Sequence, residues 1–171
     1  MLKLKDTSNI WLFSDSHFGH ARIIEYCDRP FESADAMNLA MLNNWNNKIM
    51  ETDIVLFLGD FVCGVGKKKV DVADIFYDSL KGKKIFIAGN HDNVKDKGKI
   101  PWIEGEFKIR YKGKTFTLCH YPPTESFDTN AYIHGHTHSG KLNEFENIFN
   151  VSADAISFAP INLNVILTML K

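Results

Sequence analysis

Asp53-Ile54-Val55-Leu56-Phe57-Leu58-Gly59-Asp60 decides the fold: an unbroken apolar run closed by a glycine and a carboxylate. A short apolar run bounded by turn residues reads as a strand buried on both faces, the kind found in parallel sheets. Two other segments repeat the plan. Asn9-Ile10-Trp11-Leu12-Phe13 runs into Ser14-Asp15-Ser16-His17-Phe18-Gly19-His20, and Lys84-Ile85-Phe86-Ile87-Ala88 runs into Gly89-Asn90-His91-Asp92. Helical patterns separate the three. Ser33 is a candidate N-cap, and Met37, Met41, Trp45 and Ile49 then recur at helical spacing over about four turns. The asparagines Asn43, Asn44, Asn46 and Asn47 read as a solvated face and a fraying end. Val72, Ile75, Phe76 and Leu80 line a second helix, with Gly82 at its C-terminal turn. Strands alternating with helices predict βαβ units and a mostly parallel, covered sheet. Ligands bind such sheets beyond the strands' carboxyl ends, which is where Asp15, Asp60 and Asn90 fall.

Beyond Pro101 the rhythm changes. Phe107–Tyr111 and Thr115–Cys119 flank Lys112-Gly113-Lys114 and predict a β-hairpin whose second arm ends at His120. Ala131-Tyr132-Ile133 leads into His134-Gly135-His136-Thr137-His138, and Phe145–Val151 is a further strand candidate. Leu163–Leu170 fits either strand alternation or a short helix. No internal repeat, low-complexity tract or linker divides the chain, so residues 1–171 read as one domain, in keeping with about 100–200 residues per domain.

Composition narrows the function classes. A net charge of −1 gives no whole-chain sign of nucleic-acid or membrane binding. No apolar run approaches the roughly 18 residues of a membrane span, and Met1–Asp6 lacks the apolar core of a signal peptide. Cys27, Cys63 and Cys119 are odd in number and far apart, so they read as small buried residues in a reducing, cytoplasmic setting.

The residues that follow strands are Asp15, His17, Asp60, Asn90, His91, His120, His136 and His138. Side chains alternate along extended backbone, which sets Asp15 and His17 on one side. Carboxylate, amide oxygen and imidazole together suit first-row divalent metals, and the lack of thiolate argues against a structural zinc site. The set exceeds one tetrahedral ion and matches two ions sharing a carboxylate.

Asp15-x-His17, Gly59-Asp60, Gly89-Asn90-His91-Asp92, His120 and Gly135-His136-Thr137-His138, taken in this order, resemble the motifs of the calcineurin-like metallophosphoesterases. Phe18-Gly19-His20 looks like a small bacterial and phage branch without a cap domain. The resemblance implies an α/β fold, a four-layer αββα sandwich of mixed sheets with the site at the strand ends, and a helix for the C-terminal segment. It implies one ion on Asp15, His17 and His138, a second on Asn90, His120 and His136, and Asp60 as the bridge. His91 would face the substrate phosphate and leaving group. Apart from the resemblance, Asp92 is a candidate to orient His91 through a hydrogen bond, and His20 reads either as a residue behind the ligands or as a helix-start residue near the site. The implied cofactor is a pair of divalent ions, Mn²⁺ ahead of Fe²⁺, Zn²⁺ or Ni²⁺. The implied reaction is hydrolysis of a phosphoester, a phosphodiester foremost, by a hydroxide bridging the two ions, on a small-molecule or nucleotide substrate. The competing reading is a non-catalytic, metal-binding interaction scaffold on the same fold. His134 reads as structural, Arg22 as a surface residue, and Lys67–Lys69 as a solvated helix start.

Overall fold

Val55–Leu58 is buried on both faces at the centre of a five-stranded sheet. The computed structural model describes all residues except 93, 96, 97, 125–128, 139 and 171. In chain order the elements are β1 (Leu2–Lys3), β2 (Ile10–Phe13), α1 (Ala21–Tyr26), α2 (Ala34–Lys48), β3 (Ile54–Leu58), α3 (Lys69–Ser79), β4 (Lys83–Ile87) and β5 (Trp102–Ile103). There follow β6 (Phe107–Tyr111), β7 (Lys114–Leu118), β8 (Ala131–His134), β9 (Asn143–Phe145), β10 (Ile148–Asn150), β11 (Ile161–Asn162) and α4 (Leu163–Met169). Single 3₁₀ turns stand at Gly66–Lys68 and Ala153–Ile156.

The smaller sheet has the order β11-β2-β3-β4-β5, with β2 to β5 parallel and β11 antiparallel at one edge. The larger sheet has the order β1-β6-β7-β8-β10-β9 and mixes both senses. The α/β class with mixed sheets is therefore the one expected. Its division into faces follows from strand alternation. Ile10, Leu12, Leu56, Leu58 and Ile87 turn toward Ile109, Phe116, Leu118, Ile133 and Phe149 of the larger sheet. Their neighbours Phe13, Val55, Phe57 and Phe86 turn the other way, onto Met37, Met41 and Trp45 of α2. Phe13 meets Trp45 edge-on at 5.9 Å between centroids, and Phe57 stacks on Phe86 at 4.9 Å. Leu163 and Ile166 of α4 join the intersheet core, so the C-terminal segment is a helix. On β6, Lys108 and Arg110 are exposed, and solvent covers that part of the larger sheet.

Local chemistry fixes the joints. Ser33 caps α2 by accepting from the Ala36 amide at 3.2 Å. Lys112 and Gly113 both have positive φ, as a two-residue turn matched to strand twist requires. Asp53 is buried and accepts from Asn9 Nδ2, Trp11 Nε1 and the Met50 amide, each at 3.0 Å, which pins the start of β3.

Two local expectations change. Phe145–Val151 is not one strand: Asn147, at φ 59°, turns the chain between β9 and β10. The asparagine-rich end of α2 is stapled, since Asn44 Nδ2 donates to the Phe158 carbonyl and Asn46 binds both the Ser79 carbonyl and the Lys81 amide. The two-residue strands β1 and β5 had no periodicity to reveal them. Among the described residues no helix is long and apolar enough to cross a membrane.

Candidate metal centre

The loops leaving β2, β3, β4, β7 and β8 meet on one side of the sheets. The first two stay paired beyond their strands, with the Asp15 amide on the Gly59 carbonyl at 2.9 Å and the His17 amide on the Asp60 carbonyl at 3.0 Å. Asp15, His17, Asp60 and His136 all adopt positive φ, from 49° to 68°. Left-handed backbone at non-glycine residues is costly and concentrates at functional sites. It also turns these side chains inward. Two glycines permit the approach. A Cβ on Gly135 would stand 2.2 Å from Asp15 Oδ2, and one on Gly59, itself at φ 94°, would stand 2.6 Å from His120 Nδ1.

The side chains form two groups with one member in common. Asp15 Oδ1 lies 3.9 Å from His17 Nε2 and 3.7 Å from His138 Nε2. Asn90 Oδ1 lies 2.9 Å from His120 Nε2 and 3.0 Å from His136 Nδ1. Asp60 Oδ2 sits between the groups, 3.6 Å from His17 Nε2 and 3.5 Å from His120 Nε2. Metal–ligand bonds of about 2.0–2.2 Å set ligand atoms roughly 3–3.5 Å apart, so the spacing fits ions.

The polar bookkeeping fits as well. Asp15 Oδ1 and both ring nitrogens of His17 are buried with no hydrogen-bond partner among the described residues. Unpaired buried polar atoms are costly, and a cation would satisfy the carboxylate oxygen and one imidazole nitrogen. The remaining atoms are held in place. The His136 amide donates to Asp15 Oδ2 at 2.9 Å, the His91 amide donates to Asp60 Oδ1 at 2.8 Å, and His120 Nδ1 donates to the Leu58 carbonyl at 2.8 Å. Burial pushes the Asp15 carboxyl up to about 6, and the nearby His120 and His138 pull against it. Burial pushes the His17 and His136 imidazoles down, favouring the neutral, ligating form.

Residues 8–129 match the family model for calcineurin-like phosphoesterases. The chain belongs to the calcineurin-like phosphoesterase family. An uncharacterized Methanocaldococcus jannaschii protein, MJ1445, is 38% identical over 171 residues, covering 95% of this chain and 91% of that one. The structure of AQ665, a protein of unknown function from Aquifex aeolicus, superposes with a TM-score of 0.75 at 22% identity, covering 96% of this chain and all of that one. YfcE, a phosphoesterase from E. coli, superposes with a TM-score of 0.51 at 17% identity, over 84% of this chain and 78% of that one. These two likenesses concern the fold.

Within this phosphoesterase the surrounding residues divide by what they touch. His91 is exposed beside the two groups, its ring 5.4 Å from that of His17 and its Nδ1 3.8 Å from Cys63 Sγ. Asp92 does something other than expected. Its Oδ2 accepts from the Asp60 amide at 2.7 Å and the Gly89 amide at 2.9 Å, and its Oδ1 accepts from the Phe61 amide at 3.1 Å. It clasps the Asp60 loop to the Asn90 loop, and both oxygens are committed to backbone amides instead of the His91 ring. His20 stands 5.8 Å from the His17 ring, its Nδ1 without a partner among the described residues, and groups with His17 and Cys63. His134 is buried, with Nδ1 on the Gly135 carbonyl and Nε2 3.2 Å from Glu144, which also accepts from Thr137 and Asn150. It braces the His136–His138 loop. Lys69 donates to the His91 carbonyl, so one residue of the lysine run supports the site, while Arg22 is exposed. Tyr121, half exposed, leans on His136 with 4.7 Å between ring centroids.

Two further residues carried no sequence signal toward the site. Asp154 Oδ2 accepts from His138 Nδ1 at 2.6 Å, and Arg29 holds both Asp154 oxygens at 2.8 and 2.9 Å. Burial pulls the His138 imidazole down, but the Asp154 hydrogen bond and the Asp15 charge more than offset it and leave it raised. Neither residue stands in a motif, and they are 125 positions apart.

Proposed function

We propose that the protein hydrolyses phosphodiesters with two divalent ions, one held by Asp15, His17 and His138, the other by Asn90, His120 and His136. The observation that carries this reading is the position of Asp60 Oδ2, 3.6 Å from a nitrogen of one group and 3.5 Å from a nitrogen of the other. A carboxylate oxygen so placed would be shared by both ions. When bound, such a pair lowers the pKa of water to near neutrality and neutralises charge on the phosphate oxygens. Oxygen and nitrogen donors of this mixture suit Mn²⁺, with Fe²⁺, Zn²⁺ and Ni²⁺ as alternatives.

The chain's own residues supply the rest. The left-handed turns at Asp15 and Asp60 and the Asp92 clasp hold the donors in place before any substrate arrives, so orientation costs little during reaction. His91, exposed at the rim, is the side chain positioned to give a proton to the departing alkoxide, a contribution of about 10²–10⁴-fold. No covalent phospho-enzyme is required: water forms the new P–O bond as the P–O bond to the alkoxide breaks, and the alkoxide takes up the proton from His91.

The test is hydrolysis of bis(p-nitrophenyl) phosphate and p-nitrophenyl phosphate by chelator-stripped protein supplemented with Mn²⁺. Diester turnover that appears with Mn²⁺ and exceeds monoester turnover is the expected result. Faster monoester hydrolysis would reverse the substrate assignment. Metal binding without turnover on either substrate would favour the interaction scaffold.

A further inference from the structure

Behind His138 lies an ionic arrangement that, among the described residues, neither His120 nor His136 shares. A carboxylate can only accept here, so the 2.6 Å contact from His138 Nδ1 to Asp154 Oδ2 places the ring proton on Nδ1. In the neutral ring this leaves the Nε2 lone pair for a ligand role, and Nε2 lies 3.7 Å from Asp15 Oδ1. The Arg29 side chain is fully buried, with NH1 also 3.4 Å from Met37 Sδ and NH2 3.5 Å from His138 Nδ1, and its shorter contacts join a carboxylate to the backbone. Nε and NH2 grip the two Asp154 oxygens, while NH1 and NH2 reach the carbonyls of Ser16 at 3.1 Å and Asp15 at 2.9 Å. One guanidinium thus ties the carboxylate behind His138 to the backbone that carries Asp15 and His17. On the other side, His120 is backed by the neutral Leu58 carbonyl, and the His136 ring contacts lie within its own ligand group or on Tyr121.

We infer that Asp154, locked by Arg29, is a positioning residue for a single ion, the one at Asp15, His17 and His138, and tunes that ion's affinity without acting on its neighbour. This rests on the two-ion reading above. Hydrogen-bonded carboxylates behind ligating histidines fix the tautomer and raise ligand basicity. Arg29 adds a rigid planar fork that lysine could not reproduce.

Calorimetric titration of stripped protein with Mn²⁺ tests the inference, using wild type and Asp154→Asn. Wild type is expected to bind two ions. In D154N one of the two should weaken by about 10–100-fold, the usual effect of losing such a partner, while the other moves less than about threefold and the melting temperature of the metal-free protein stays within a few degrees. Equal weakening of both ions with a large fall in melting temperature would make Asp154 merely structural and overturn the inference. Two unchanged affinities would also overturn it, leaving the two-ion reading intact. A wild type that binds one ion or none would instead sink the two-ion reading itself. Nitrogen-15 NMR on Zn²⁺-loaded wild type gives a check free of any variant: His138 should be protonated at Nδ1, and protonation at Nε2 would contradict the geometry.

Discussion

His91 is the residue whose role is most open to direct test. Its side chain is exposed and hydrogen-bonded to neither ligand group, whereas its amide is tied to Asp60. On the proposed reading, with His91 as general acid and outside the ligand set, His91→Ala should keep the wild-type metal content and the fold but lose about 10²–10⁴-fold in kcat. Metal analysis beside steady-state kinetics reads this out, and loss of an ion would place His91 among the ligands. Asp92, its neighbour, shows how adjacency misleads. The sequence Asn90-His91-Asp92 suggests a histidine backed by a carboxylate, yet that carboxylate folds back onto three amides. Asp154, the carboxylate that backs the His138 imidazole, lies outside every motif.

At the scale of elements, β2, β3, β4, β7 and β8 each lead into the site at their carboxyl ends, and backbone bonds between neighbouring loops hold the Asp15–His17 segment to Gly59 and Asp60 and Gly135 to His120. The helices matter indirectly. Helix α2 covers Phe13 and Phe57, which set the depth of β2 and β3 and so of Asp15 and Asp60. Its N-terminus depends on one side chain. Ser33→Ala should lower stability by about 1 kcal/mol, the usual cost of a lost N-cap, with metal stoichiometry unchanged. Urea unfolding of the two proteins at one metal concentration measures this. A loss above about 3 kcal/mol would mean that Ser33 does more than cap. The asparagine staples at the other end make α2 a brace between Ser79, Lys81 and Phe158. Amphipathic patterning registers which face is polar and carries no information about what that face meets.

For the whole molecule, folding and metal binding are linked through buried acid groups. Without metal, Asp15 holds its proton up to about 6, against 3.8 in the unfolded chain. A raised folded pKa stabilises fully below the unfolded value and loses that contribution as pH rises through the folded one. The metal-free protein should thus lose stability from this group between about pH 4 and pH 6. A metal held by these residues would reverse the balance, since it would select the ionised carboxylate and neutral imidazoles. The gap in melting temperature between metal-loaded and metal-free protein should widen as pH rises from 5 to 7. Metal affinity should fall on acidification through about pH 6, by up to about tenfold per unit for each proton displaced. Scanning calorimetry and metal titration across that range check both statements, and an affinity independent of pH would refute them.

The order of buried strands, the helical periodicity of Met37, Met41 and Trp45, and the polar residues that the fold gathers, Asp15, His17, Asp60, Asn90, His120, His136 and His138, were all legible in the sequence. Periodicity and short motifs record which residues must be buried and which chemistry follows each strand. Tertiary structure alone decided the pairing of strands into two sheets, the convergence of five loop ends, and the place of Asp60 between the two groups. It also decided that Asp154 and Arg29, 125 positions apart, close on His138. Contacts between distant segments depend on packing, and a buried arginine or a lone aspartate leaves no pattern in the segments around it.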